Sequence, residues 1–197
     1  MMSNLHWSRA ACALLASLAL AGSAGASMFK KEGTPDEQRA NIRQVSQQAL
    51  AELYKAQPSA KGHIAKAAGY AVFSNFGMKI FVAGGGSGRG IVIDNKTKKE
   101  TFMRMAEVQA GLGFGVKNFR LVWVFEKKSD LDRFVNSGWE IGAQSTASAK
   151  VAGQGASVYA GAVSVTPGVW LYQLTGDGLA LELTAKGTKY YRDNELN

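Results

Sequence analysis

Few residues in this 197-residue chain have the type and spacing to do chemistry. His63 and His6 are its two histidines, so acyl-transfer chemistry in the body of the chain would have to run through His63, and a zinc site would lack its usual histidine and cysteine ligands. The place of His63 between Gly62 and Ile64 predicts a surface turn and a bystander's role. The run Gly84, Gly85, Gly86, Ser87, Gly88, Arg89, Gly90 invites a phosphate-cradling reading, because bare backbone amides in a loop bind anions. It lacks the G-x-G-x-x-G spacing and the Lys-Ser/Thr ending of a nucleotide loop, and Ile91 to Ile93 reads as a strand where such a loop would open a helix. Ser87 is no nucleophile elbow, since Arg89 stands where glycine is needed. Glu107, Glu126, Glu140, Asp177 and Glu182 are scattered; a hydrolase would need two of them in one pocket, and nothing in the spacing singles out a pair. The chain reads as non-enzymatic, with no catalytic residue, metal ligand or cofactor assigned.

Positive charge is the stronger signal. The net charge is +8, and if a leader carrying Arg9 is removed the remainder has 22 basic against 15 acidic residues. Such a surface attracts anionic membranes or nucleic acid. No run of Lys or Arg exceeds two, and no zinc finger, RNA-recognition or basic-zipper pattern occurs, so nucleic acid is not expected as a partner. The candidate anion ligands are Lys96, Lys98 and Lys99 at a hairpin tip, together with Lys55, Lys61 and Lys66, and further Lys30 and Lys31 in the connector.

These side chains need a scaffold, and the N-terminus is not part of it. Arg9, an apolar run from Ala10 to Ala21 and the small residues Ala24, Gly25, Ala26 fit a secretory signal peptide over residues 1–26, cleaved after Ala26. A run of about a dozen residues is short of the ~20 that a membrane-crossing helix needs. The sole cysteine, Cys12, lies inside this leader, too early in the apolar run for a lipoprotein anchor, so the mature chain would hold no disulfide. A periplasmic or secreted protein follows, with a connector over 27–33 and one domain over 34–197.

Thr34, Pro35 and Glu37 spell an N-cap, a first-turn proline and a capping box, and Pro58 marks the end of the helix they start. Ile42, Val45, Ala49, Leu50, Leu53 and Tyr54 share one face, which is either core-packed or laid into a membrane surface. Strand periodicity then takes over at Tyr70 to Phe73, Met78 to Ala83, Gly90 to Asp94, Thr101 to Met105, Gly111 to Val116 and Phe119 to Phe125, predicting a β-meander. Asp94, Asn95, Lys96 and Thr97 supply a hairpin turn. Ser129 is expected to cap a short helix with Leu131, Phe134 and Val135 inward and Gly138 as its stop. Trp139 to Ala143, Val169 to Leu174 and Leu179 to Thr184 are closing strands, separated by a small-residue stretch from Gln144 to Gly161.

The fold class is therefore α+β: a curved, mainly antiparallel, glycine-rich sheet or partial barrel, with an N-terminal amphipathic helix and one short inserted helix. Glycine accounts for 23 residues, and Gly111, Gly113 and Gly115 leave one side of a strand bare, for sharp curvature, close backbone packing or a ligand groove. Trp123, Trp139, Trp170, Tyr172, Tyr190 and Tyr191 serve as core, with one or two of them suited to a membrane interface.

Ala65 to Phe73, reading Ala-Lys-Ala-Ala-Gly-Tyr-Ala-Val-Phe, resembles the opening strand of the SYLF family, and the glycine cluster at 84–90 follows at the matching distance. Gly111, Gly113, Gly115, the helix end Phe134 to Gly138, the small residues after Gly142 and the terminal Lys189, Tyr190, Tyr191 extend the resemblance over about Gln38 to Asn194. It implies a non-catalytic domain that binds anionic phospholipid. The phosphoinositide and actin partners of the eukaryotic members are not expected for an exported bacterial-type protein, and the helix here mixes Arg39, Arg43 and Lys55 with Asp36, Glu37 and Glu52. The expected function is non-enzymatic binding of anionic phospholipid at a membrane surface of the cell envelope. The alternative is an envelope scaffold whose glycine-rich sheet takes a protein partner.

Overall fold

In the computed structural model the chain is described over residues 33–80, 83–110, 115–141, 159–176, 178–180 and 187–197. The leader, Ala26, Lys30, Lys31 and most of the Gln144–Gly161 stretch lie outside these residues, as do Gly111 and Gly113.

Helix α1 (Pro35–Ala56) starts as its residues dictate. The Thr34 hydroxyl accepts from the Glu37 amide at 3.3 Å and the Glu37 carboxylate accepts from the Thr34 amide at 2.7 Å, so two orphan donors are satisfied reciprocally. Ile42, Ser46, Ala49 and Leu53 are buried along one side. After Gln57 the chain forms a second helix, α2 (Ser59–Lys66), where a turn is expected from sequence.

The sheet comprises β1 (Gly69–Ile80), β2 (Ala83–Asp94), β3 (Glu100–Ala110), β4 (Gly115–Phe125), β5 (Trp139–Ile141), β6 (Val163–Thr166), β7 (Val169–Thr175), β8 (Gly178–Ala180) and β9 (Thr188–Arg192). Every pairing among them is antiparallel, in the order β5-β9-β3-β2-β1-β4-β7-β6 with β8 on β7, and the sheet curls into a half-barrel. The expected meander holds for β1 to β3 only, because β4 returns beside β1 in a Greek-key arrangement. Met78 does not begin a strand of its own: it continues β1, and the glycine cluster is β2 itself rather than a loop. Close packing explains two of its glycines. A Cβ on Gly90 would collide with the Val72 carbonyl and the Phe73 ring, and one on Gly88 would lie 2.5 Å from the Ser74 carbonyl oxygen.

Among the described residues each face of the sheet carries a buried cluster. One carries Ala71, Phe73, Met103, Met105, Leu121, Trp123, Phe125, Leu171 and Tyr190, closed by Leu131 and Phe134 of helix α3 (Lys128–Ser137). The Phe134 ring stands 4.9 Å from that of Phe125 and 5.4 Å from that of Tyr190. Helix α3 ends at Gly138, the stop expected of it, whose φ of 72° is one that glycine adopts freely. Its N-cap is Lys127 rather than Ser129, and no side chain caps it. The other face carries Val72, Val122, Val124, Tyr172 and Leu174 beneath Ala49 and Leu53 of α1 and Ala60, Ile64 and Ala67 of the α2 region.

Candidate functional site

One end of the sheet gathers the C-terminus of α2, the β2–β3 turn, the end of β4 and the start of α3. The turn is fixed from within: Asp94 Oδ1 accepts from the amides of Lys96 and Thr97, both at 2.9 Å, and the Lys98 amide donates to the Asp94 carbonyl at 2.8 Å. Lys98 sits at φ 60°, a left-handed position filled here by a long cation. The Thr97 amide is the largest cause holding the Asp94 carboxyl below the usual carboxylate range, with Lys128 adding to it.

The turn is then stitched to α2. Asn95 Nδ2 donates to the carbonyls of Ile64 at 2.7 Å and Ala67 at 2.9 Å, while the Asn95 amide donates to the Ala68 carbonyl. These bonds satisfy carbonyls that the end of a helix otherwise leaves open. On the other side Lys128 Nζ lies 3.4 Å from Asp94 Oδ2 and also bonds Asp132, so it is the tie between the turn and α3.

The lysines proposed from sequence divide accordingly. Lys66, Lys96, Lys98 and Lys99 come to this end, all exposed, and Lys127 joins them. Among the described residues none of these five has an ion-pair partner, in contrast with Arg43, Arg104, Arg120 and Lys128. Lys55 and Lys61 are exposed at the α1–α2 corner, at the opposite end of α2. Sequence reasoning missed the contribution of Lys127 and Lys128, although the Lys-Lys pair one residue beyond an apolar strand was the available signal.

His63 is the main correction. It is buried in α2, 4% exposed, and not on a surface turn. Its ring stacks on Tyr159 at 3.3 Å between centroids and meets Trp170 and Tyr172 edge-on at 6.1 and 6.0 Å. Nδ1 is 3.0 Å from the Tyr172 hydroxyl, and among the described residues the buried Nε2 has no hydrogen-bond partner. Burial pushes the imidazole down to about 4 and the Tyr172 phenol up to about 12, so both are neutral near pH 7. Pro58, then Ala60, Ile64 and Ala67 at helical spacing, was the signal for this helix.

Of the aromatic residues, Trp123, Tyr172 and Tyr190 are fully buried, Trp139 and Trp170 are partly so, and Tyr191 is exposed. Of the scattered carboxylates, Glu126 accepts from Trp170 Nε1 at 2.9 Å, and Glu140 is exposed opposite Lys189 in the β5–β9 register. The side chain of Glu107, and Asp177 and Glu182 altogether, lie outside the described residues. Among the described residues no helix is long and apolar enough to cross a membrane.

No family model matches the chain. It is similar to a curated protein of Aeromonas veronii named Beta cell expansion factor A, with 33% identity over 164 residues. The match takes in 83% of this chain and 60% of that protein, so the chain spans well under the full length of this relative.

Proposed function

We propose that this protein is a SYLF-type, exported binder of anionic phospholipid, non-enzymatic, and that the lysine end of its sheet is the face that meets the membrane. The observation that carries the reading is the convergence of Lys66, Lys96, Lys98, Lys99 and Lys127 on one end, exposed and, among the described residues, without ion-pair partners. A lysine whose charge is not already neutralised by a carboxylate remains available to a lipid phosphate, and each near an anionic surface is worth about 1 kcal/mol. The turn that presents three of them is fixed by Asp94 and Asn95, so little ordering cost is added on binding. The residues behind the SYLF resemblance include β1, β2 and the Lys189 to Tyr191 strand, all parts of the sheet that positions this end. Lys55 and Lys61 belong to a secondary contact at the far end of α2.

Co-sedimentation with liposomes tests the reading. Binding to phosphatidylglycerol-containing vesicles, weakening as salt rises and absent with pure phosphatidylcholine, is the expected result. Replacing Lys96, Lys98 and Lys99 together by Gln is expected to weaken it on the order of a hundredfold, at about 1 kcal/mol per lysine. Equal loss on replacing Lys55 and Lys61 would move the contact to the other end of α2. No binding to either vesicle at low salt would sink the lipid reading and direct the search to a protein partner in the envelope.

A further inference from the structure

Helix α2 is held in place by contacts with the sheet and the β2–β3 turn. It has eight residues, Pro58 at its N-cap and no side-chain cap, too short to persist without tertiary support. That support is a narrow apolar side made of Ala60, Ile64 and Ala67, the two bonds from Asn95, and the insertion of His63 among Tyr159, Trp170 and Tyr172. The sequence of α2, Ser-Ala-Lys-Gly-His-Ile-Ala-Lys, contains no acid, and its exposed side presents Lys61 and Lys66.

We propose that α2 is an acid-released latch on the lysine face: protonation of His63 drives its ring out of the Tyr159–Trp170–Tyr172 box, frees α2 from the sheet and presents its apolar side to an anionic lipid surface. This rests on the lipid reading above and names how that face is regulated. Protonation makes both ring nitrogens donors. Nδ1–H keeps the Tyr172 oxygen, but among the described residues Nε2–H has no acceptor, and the charge is enclosed by aromatic walls. Tyr172 and Trp170 face the ring from β7, and Tyr159 faces it from the segment before β6. Glu126, after β4, is the acidic group that favours the charged form; it is exposed and already bonded to Trp170, and desolvation outweighs it.

The sign follows from linkage. The folded imidazole titrates at about 4, below its ordinary 6.5, so the stability it contributes is present above pH 6.5 and is lost as the pH falls from 6.5 toward 4. A released helix regains the ordinary value, so at a pH of about 5.5 release is favoured roughly tenfold over a pH of about 7.5. The freed segment does not stay helical in water, but with Lys61 and Lys66 set against Ala60, Ile64 and Ala67 it has the composition to refold on an anionic membrane, lysines toward the headgroups and apolar side toward the lipid.

Amide hydrogen exchange on the whole protein, without vesicles, at those two pH values and corrected for intrinsic rates, reads the latch alone. Protection over Ser59–Lys66 is expected to fall about tenfold relative to α1 and α3 at the lower pH. His63→Gln, which keeps a group able to bond Tyr172 without titrating, is expected to abolish that dependence. Unchanged α2 protection in the parent protein, or a loss shared equally by α1, overturns the latch. Should the variant not fold, the imidazole resonance of His63 in the parent decides: titration below pH ~5 supports the latch and titration near 6.5 overturns it. Vesicles of phosphatidylcholine and phosphatidylglycerol added at each pH read the membrane step, expected to strengthen about tenfold at the lower pH. Absence of binding at both, with α2 released on schedule, overturns the lipid reading and not the release.

Discussion

Helices α1 and α2 lie on the same face of the sheet and owe their existence to different causes. Helix α1 has 22 residues, a reciprocal capping box, acidic residues in its first turn and Lys55 in its last. Its own sequence supports it before any contact is made. Contacts then fasten it along its length: Arg43 pairs with Glu100 on β3, Glu52 with Arg120 on β4, and Arg39 Nε donates to the Leu196 carbonyl at 2.8 Å. Helix α2 has neither cap nor length and exists because Asn95 and the aromatic box hold it. A locally specified helix gives a rigid frame, whereas one specified only by tertiary contacts can be let go without unfolding the rest.

The hardest way to break that contrast is Leu53→Ala. Leu53 is fully buried between α1 and the sheet, so its truncation is expected to cost about 2–5 kcal/mol. The loss should appear as a lowered urea midpoint for the frame, with α1 and the sheet unfolding together. A transition in which α1 melts ahead of the sheet would show that the frame is not rigid. Asn95→Ala is the counterpart for α2. Removing two bonds to helix-end carbonyls is expected to cost about 1–2 kcal/mol, confined to Ser59–Lys66 and the adjoining turn. Exchange protection of α2 would then fall about five- to thirtyfold while that of α1 stays as it was. Equal loss in both helices would mean that α2 is as integral as α1.

The same contrast explains how much could be read in advance. Signals confined to a few neighbouring residues were legible: the Thr34 and Glu37 cap, the Asp94 to Thr97 turn and the Gly138 stop are where their chemistry puts them. The α+β class and most strand positions also followed from periodicity. What depended on long-range pairing did not. The return of β4 beside β1 is a matter of which edge a strand finds, and apolar alternation is the same for either edge. The burial of His63 depends on Tyr159, Trp170 and Tyr172, about a hundred residues away in sequence, and a histidine beside a glycine carries no mark of such partners. Of the lysine cluster, the turn was legible through Lys96, Lys98 and Lys99. Lys66 and Lys127 join it through the Asn95 bonds and the path of β4, both set by the folded topology.

The gentlest test lies at the other end of α1. Thr34→Ala removes the hydroxyl that accepts from the Glu37 amide but leaves the Thr34 backbone amide, which still donates to the Glu37 carboxylate. Half of the box survives, and the site is exposed, so water takes over part of the lost bond. The expected cost is about 1 kcal/mol, read as a small shift of the urea midpoint. Its distribution matters more than its size. The first buried residue of α1 is Ile42, two turns beyond the cap, so fraying of the first turn loosens no core contact and leaves α2 protected. If α2 protection fell with it, the two helices would form one cooperative unit, and release of α2 alone would require the loss of α1 as well.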